Sequence, residues 1–271
     1  MDPHAIETNR ANWDARAAVH GQDRIYDSDG LVAGRIDLDE LEEAALLRAV
    51  GDVAGLGICH LQCHIGFDSI LLARRGARVT AIDFSPVALA KAADLAQRCG
   101  VALELVEANA CDPPRRLEAG FDVVYATIGV LCWIERVDEW MAAAARLARP
   151  GGHLVLVEIH PLASMFDTFE PPVTDFPYNF DGPHHFDSDG SYTDPGLRLS
   201  ATETVQYAHG LGEIVTAAVE AGWEIEHLAE HTFSPGDYWG NLTSPDEDGR
   251  YRVRLGDQPI PLLFTLLARR E

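Results

Sequence analysis

GLGICHLQCHIGFDSILLARRGARVTAID, residues 55–83, reads as strand, helix and strand in succession. GLGICHLQC is a short apolar run of strand length, DSILLARRG has helical spacing, and RVTAID is a second strand. Working outward, the Ser85-Pro86 pair opens the helix PVALAKAADLAQRCG, and Gly100 marks its end. VALELVEA and FDVVYATI follow as third and fourth strands. VDEWMAAAARLARPGG reads as a helix closed by Pro150, Gly151 and Gly152, and HLVLVEIH as a fifth strand. Strands alternating with helices in this way are βαβ units, which build a doubly wound parallel sheet. Beyond His160 the texture changes to PLASMFDTFEPPVTDFPYNFDGPHHFDSDGSYTDPG, rich in Pro, Asp, Gly and aromatics and without helical period. A segment of this kind inside a folded chain reads as a lid packed over the sheet. RLSATETVQYAH then reads as a strand leading into the helix GLGEIVTAAVEAG, and WEIEHLAEH and PLLFTLLARR as two further strands, the second closing the sheet. Before residue 49, NRANWDARAAVH and DLDELEEAALLRAV read as helices. The expected organisation is a single domain: a helical cap over 1–48, a core over 49–160, an inserted lid over 161–205, and a closing helix and strands over 206–271.

Composition narrows the function. In 271 residues, 43 acidic against 21 basic side chains give a formal charge of −22, which repels nucleic-acid phosphates and anionic lipid. Nucleic acid and membrane are thereby disfavoured as partners, and a small molecule is favoured. Such a surface also suits a salt-rich cell interior. No stretch approaches the roughly 18 apolar residues that span a bilayer, and the opening MDPHAIETNR lacks the basic-then-apolar order of a signal peptide. The expected location is the cytoplasm. Five cysteines, Cys59, Cys63, Cys99, Cys111 and Cys132, are an odd number and argue for reduced thiols over a disulfide framework.

Ligands of open α/β sheets sit at the carboxyl ends of the strands. Four turns fall there: HLQCHIGFD, Asp83 with Phe84 and Ser85, Glu107 to Ala110, and Thr127 to Gly129. Asp83 lies 17 residues past Gly66, close to the spacing of about 20 at which a carboxylate accepts both ribose hydroxyls of a nucleoside.

Together these features resemble the class I S-adenosylmethionine-dependent methyltransferases over about residues 50–160. In that family the first loop reads as an acidic residue followed by Gly-x-Gly-x-Gly; the aligned positions are His60, Gln62, His64 and Gly66, of which only Gly66 matches. Asp83, the FDVV strand and the PGG turn stay in register. LQCHIGFDS, a Trp-containing amino-terminal segment and HGLGEIVTAAVEAGWEIE are similar to a bacterial branch with small-molecule acceptors. The resemblance implies a Rossmann-like, seven-stranded, mostly parallel sheet with an antiparallel last strand, and S-adenosylmethionine as cofactor with S-adenosylhomocysteine as product. It further implies that Asp83 holds the ribose, Phe84 stacks on the adenine, and Asn109 and Ala110 meet the adenine edge. Thr127 then lies near the methionine part, with Gln62, Cys63, His64, Gly66 and Ser85 as loop contacts and Trp13 and Tyr26 as lid contacts.

Physics favours this cofactor over a dinucleotide, whose pyrophosphate needs small glycines for close approach of backbone amides where this chain has Gln62 and His64. A nicotinamide-dependent oxidoreductase and a non-catalytic S-adenosylmethionine-binding protein are the rival readings, the second prompted by the missing glycines. CHLQCH offers two thiols and two imidazoles, yet strand alternation sends its cysteines and histidines to opposite faces, so no metal is expected. FDSDG reads as a hairpin turn, since it lacks the terminal Glu of a calcium loop. The aromatics of the lid, including Phe166, Phe169, Tyr178, Phe180 and Tyr192, read as packing. Methyl transfer to an oxygen or nitrogen of a small molecule is the expected reaction, in a monomer or homodimer. Candidates for a proton-accepting base are His160, with Glu158 beside it, and His209, because imidazole titrates near neutrality.

Overall fold

The computed structural model describes residues 2–194, 196–239, 242 and 245–271. Three helices come first: α1 (Pro3–Val19), α2 (Ser28–Val32) and α3 (Glu40–Val50). The core alternates β1 (Gly57–Leu61), α4 (Phe67–Arg74), β2 (Arg78–Asp83), α5 (Pro86–Cys99), β3 (Leu103–Glu107), β4 (Phe121–Thr127), α6 (Val137–Leu147) and β5 (Ala148–Ile159). The lid region holds α7 (Pro161–Ser164), β6 (Phe166–Phe169), β7 (Pro172–Thr174), β8 (His184–Asp187) and β9 (Glu203–Gln206). The chain then runs through α8 (Leu211–Glu220), β10 (Trp223–His231), β11 (Arg254–Leu255), β12 (Gln258–Pro259) and β13 (Leu263–Arg270).

Seven strands form one sheet in the order β10-β13-β5-β4-β1-β2-β3. β13 runs antiparallel to both β5 and β10, and β1 to β5 are mutually parallel. The family-based expectation of a Rossmann-like, mostly parallel sheet with an antiparallel last strand therefore holds. Alternation along the strands sorts the core into two layers. Ile58, Val123, Tyr125, Val155 and Val157 pack beneath α3, α4 and α5, while Cys59, Leu61, Val124, Ala126, Leu154 and Leu156 pack against α6 and α8. Both faces are covered, so these strands are buried on both sides. The chain order reverses between β1 and β4, and the crevice beyond their carboxyl ends is the topological position for a ligand.

Local chemistry explains the elements. Ser85 caps α5 by accepting from Ala88 N at 3.0 Å, with Pro86 in the first turn, and Gly100 ends that helix at φ +69°. Asp39 and Glu42 form a reciprocal capping box at the start of α3.

Three expectations are corrected. The helix read through Pro150, Gly151 and Gly152 stops at Leu147, and ARPGG belongs to β5, whose Ala148 pairs with Phe121 across an irregular register. FDSDG is no tight hairpin turn: β8 pairs with β9, whose first residue, Glu203, pairs with Asp187 and lies 16 positions on. The described residues between β10 and β13, expected only as part of the segment completing the sheet, include the hairpin β11–β12, and Tyr238 and Trp239 among them line the crevice.

The cap and the lid are joined. Asn9 on α1 donates to Val205 O and accepts from Val205 N, both at 2.8 Å, so its side-chain amide pairs with β9 as a neighbouring strand would. Asn12 donates to Ala201 O at 2.9 Å. No described helix is long and apolar enough to cross a membrane.

Candidate functional site

The loop from β1 to α4 carries three left-handed residues, Gln62 at φ +56°, His64 at +50° and Gly66 at +79°. Left-handed backbone favours glycine, so the loop has the shape a Gly-x-Gly-x-Gly run would give, with side chains at its first two positions. Those side chains are put to use. Gln62 accepts from Trp140 Nε1 at 2.9 Å and donates to Val130 O at 3.0 Å, tying the loop to α6 and to the turn after β4. His64 meets His20 across 2.8 Å, and His20 meets Ser191 of the lid across 2.7 Å. Gly66 has no room for a side chain, since an added Cβ would lie 2.9 Å from Ala92 Cβ.

Asp83, at the end of β2, closes this loop. One carboxylate oxygen accepts from His64 N at 2.8 Å and the other from Ser85 N at 2.9 Å. Burial raises its pKa to about 6, against the lowering effect of those amides.

Beside Asp83 opens a cavity with an empty volume of about 890 Å³, mouth included. Nine of the residues read from the sequence as cofactor contacts line it: Trp13, Tyr26, Gln62, His64, Asp83, Phe84, Asn109, Ala110 and Thr127. Three do not. Cys63 is buried in the core layer under α4, Gly66 packs α4 on α5, and Ser85 caps α5 while donating to Asp14 at 2.5 Å. They shape the site from behind.

The two histidines proposed as bases lie outside this cavity. His160 caps α7, accepting from Leu162 N at 3.1 Å, and its Nε2 meets Glu230 at 2.8 Å, so both ring nitrogens are engaged. Burial lowers its pKa. His209 meets Ile134 O at 2.6 Å, stacks on Phe180, and lines a separate cavity. Glu158 accepts from the amides of Gly129, Val130, Leu131 and Ile159 at 2.5–2.9 Å, which fixes the turn after β4.

Several lining residues escaped the sequence reading. Asp2, Ala5, Asn9 and Trp13 present one face of α1 to the cavity. Their helical spacing was the available signal; Trp13 alone had been singled out, and from the family resemblance. Tyr192, read as packing, lines the cavity and shares a hydrogen bond of 2.9 Å with the Tyr26 hydroxyl. Trp133 packs edge-on to Trp13 at 5.2 Å.

A second chamber, of about 2040 Å³ with its mouth, shares the wall of Trp13, Tyr26, Thr127, Gly129, Trp133 and Tyr192. Arg16, Asp39, Glu42, Asp68, Tyr238 and Trp239 also line it. The Thr127 hydroxyl donates to Asp68 at 3.0 Å, and Tyr238 donates to Asp39 at 2.8 Å. Burial raises the Asp68 carboxyl to about 6, while burial and the facing Asp68 hold Glu42 well above the carboxylate range.

Residues 59–154, from β1 to the middle of β5, match the family model described as a methyltransferase domain. The fold around this match is the one shared by solved S-adenosylmethionine-dependent methyltransferases. An S-adenosylmethionine-dependent methyltransferase from Mesorhizobium loti superimposes with a TM-score of 0.58 at 21% identity, over 85% of this chain and 98% of that one. Geranyl diphosphate C-methyltransferase from Streptomyces coelicolor, solved with S-adenosyl-L-homocysteine, superimposes with a TM-score of 0.54 at 12% identity, over 85% of this chain and 78% of that one. A curated relative, Hemagglutinin 1 of Eikenella corrodens, is 30% identical over 141 residues, 51% of this chain and 43% of that protein. The chain thus spans less than half the length of that relative.

The Asp83 cavity has the chemistry to take a nucleoside with a zwitterionic arm: Asp83 presents a carboxylate to it, Phe84 and Ile82 give it apolar walls, and His64, which also lines it, has its Nδ1 buried without a hydrogen-bond partner. An orphaned polar atom on a cavity wall is one that a ligand satisfies.

Proposed function

We propose that the chain binds S-adenosylmethionine in the Asp83 cavity and transfers its methyl group to an oxygen or nitrogen of a small molecule seated in the adjoining chamber. The observation that carries this reading is the placement of Asp83: at the carboxyl end of β2, beside the switch point of the sheet, on the wall of a cavity that shares lining residues with a second one. In this reading Asp83 accepts from the ribose hydroxyls, Phe84 lies along the base, and Asn109 and Ala110 border its edge. Trp13, Tyr26 and Tyr192 close over the ligand from the cap and lid. The bound sulfonium supplies an activated methyl group with a neutral leaving group, so what the protein adds is alignment and exclusion of water. The aromatic wall of Trp13, Trp133 and Tyr26 lines both chambers and serves both purposes, with the Tyr26 hydroxyl engaged by that of Tyr192.

A dinucleotide is disfavoured by the same loop. Gln62 and His64 project side chains, already hydrogen-bonded, where backbone amides approach a pyrophosphate in dinucleotide-binding folds. The enclosed geometry and the charge of −22 support a small acceptor over nucleic acid.

The test is a calorimetric titration of the protein with S-adenosylmethionine, S-adenosylhomocysteine and nicotinamide dinucleotides, repeated on Asp83→Ala. The expected result is micromolar binding of the first two, weakened at least tenfold in the variant, and none of the dinucleotides. Tight cofactor binding without methyl incorporation into a broad small-molecule panel would support the non-catalytic reading; no cofactor binding by the folded protein overturns the proposal.

A further inference from the structure

Arg16, in the last turn of α1, lines the second chamber and not the Asp83 cavity. Its guanidinium lies over the rings of Trp13 and Tyr192, 5.6 and 5.5 Å from their centroids, and its Nε donates to Asn12 Oδ1 at 2.7 Å. Asn12 is itself oriented by the lid, since its amide nitrogen donates to Ala201 O at 2.9 Å. The side chain is thus held in place through one nitrogen, while its two terminal nitrogens meet no hydrogen-bond acceptor and no carboxylate among the described residues. Other half-buried arginines are satisfied within the chain: Arg74 by the carbonyls of Leu31 and Val32, Arg75 by Asp37 and Glu43, and Arg252 by Asp246 and Asp248.

The carboxylates that line the same chamber are already engaged elsewhere. Asp39 and Glu42 form the capping box of α3, and Asp39 also accepts from Tyr238. Asp68 accepts from Thr127, Asp37 pairs with Arg75, and Asp189 with Arg198. The groups whose field reaches Arg16 are Tyr192, Tyr26 and Cys132, and burial keeps all three protonated at neutral pH. A guanidinium with a fixed plane and both ends unengaged is the fork that receives two oxygens of one anion. The wall beside it is aromatic, with Trp13, Tyr26, Trp133 and Tyr192, and the hydroxyls of Tyr26 and Tyr192 are bonded to each other. A doubly charged group such as a phosphate is repelled more strongly than a carboxylate by the acidic residues of the chamber and by the formal charge of −22.

We infer that the second chamber takes an aromatic carboxylate, whose two oxygens are held by the terminal nitrogens of Arg16 beside the rings of Trp13, Trp133 and Tyr192. This rests on the reading of that chamber as the acceptor site and narrows the acceptor to a small aromatic acid. The anion supplies the charge that Arg16 lacks, and the aromatic wall covers its apolar body.

The experiment uses 2-naphthoate and 2-naphthamide, alike in shape and different in charge, titrated by calorimetry into the full chain with and without saturating S-adenosylhomocysteine. The expected result is binding of 2-naphthoate at least tenfold tighter than of 2-naphthamide. Arg16→Gln brings the two within twofold of each other, and Arg16→Lys, which keeps the charge and loses the fork, retains an intermediate preference. S-Adenosylhomocysteine affinity stays within twofold in both variants, because Arg16 does not line the Asp83 cavity. Equal affinity of the wild type for the two probes overturns the inference. A preference that survives in Arg16→Gln overturns it too, and a lowered melting temperature with that unchanged preference would give Arg16 a purely structural role at the end of α1. A tenfold loss of S-adenosylhomocysteine affinity in Arg16→Gln would assign the guanidinium to the cofactor's own carboxylate, and so also overturns it. Failure of the cofactor reading shows separately, as no S-adenosylhomocysteine binding by the wild type, and leaves the probe comparison readable on the protein alone.

Discussion

Asp83 shows how one side chain links folding to ligand binding. It is 7% exposed and accepts two backbone amides that shape the loop on which His64 sits. Its pKa, raised to about 6 by burial, means that the folded chain holds more proton than the unfolded chain between the ordinary carboxylate range and about 6. The contribution of this group to stability is therefore full below the ordinary range and is lost as pH rises through about 6. Binding has the opposite sense, because a ribose hydroxyl donates to an ionised carboxylate and finds a poorer acceptor in a protonated one. The affinity for S-adenosylhomocysteine is accordingly expected to be flat from pH 7 to 8 and to fall several-fold on acidification through about 6, while Asp83→Asn binds weakly with no such step. Calorimetry across pH 5–8 checks this, and a wild-type affinity that stays constant to pH 5 would show that the carboxylate is not the ribose acceptor.

At the scale of elements, hydrogen bonds tie the cap to the lid at several points, from His20 and Tyr26 as well as from α1. Asn9 alone makes two buried hydrogen bonds to Val205, and Asn12 adds one to Ala201. Asn9→Ala leaves a backbone donor and acceptor of β9 without their partner, at a cost of about 2 kcal/mol. Hydrogen exchange is expected to speed up in α1 and β9 together while β1, β4 and β5 keep their protection; acceleration confined to α1 would show that the two elements are not coupled. This coupling was hidden in the sequence, whereas the order of strands and helices from β1 to β5 was plain. That difference has a physical origin. Apolar runs and caps are local, so GICHL, RVTAID and Ser85-Pro86 could be read from neighbours a few residues away. The left-handed backbone at Gln62 and His64 is sustained by Trp140, Val130 and Asp83, all far along the chain, so the loop lost its glycine signature but kept its shape. Long-range partners likewise decided the candidate bases. His160 is consumed by Glu230 and the cap of α7, and His209 by Ile134 O, whereas Tyr192 was drawn from presumed packing into the site by Tyr26. The short β8–β9 pairing and the hairpin β11–β12 carry no periodic pattern, and their boundaries were not legible.

For the whole molecule the governing quantity is a formal charge of −22. A field of that sign acts on every ligand, and the cofactor and its product differ in net charge by one unit, since loss of the methyl group turns a sulfonium into a neutral thioether. The protein therefore attracts S-adenosylmethionine by a long-range term that S-adenosylhomocysteine does not feel, and salt screens that term over a distance of about 10 Å at 0.1 M. Raising ionic strength from about 10 mM to about 500 mM is expected to weaken S-adenosylmethionine roughly three- to tenfold and S-adenosylhomocysteine less than twofold. Paired titrations at each salt concentration separate this effect from any general loss of binding. Should both ligands weaken in parallel, the salt would be acting on the fold and not on ligand charge, and the acidity of the surface would have no part in telling cofactor from product.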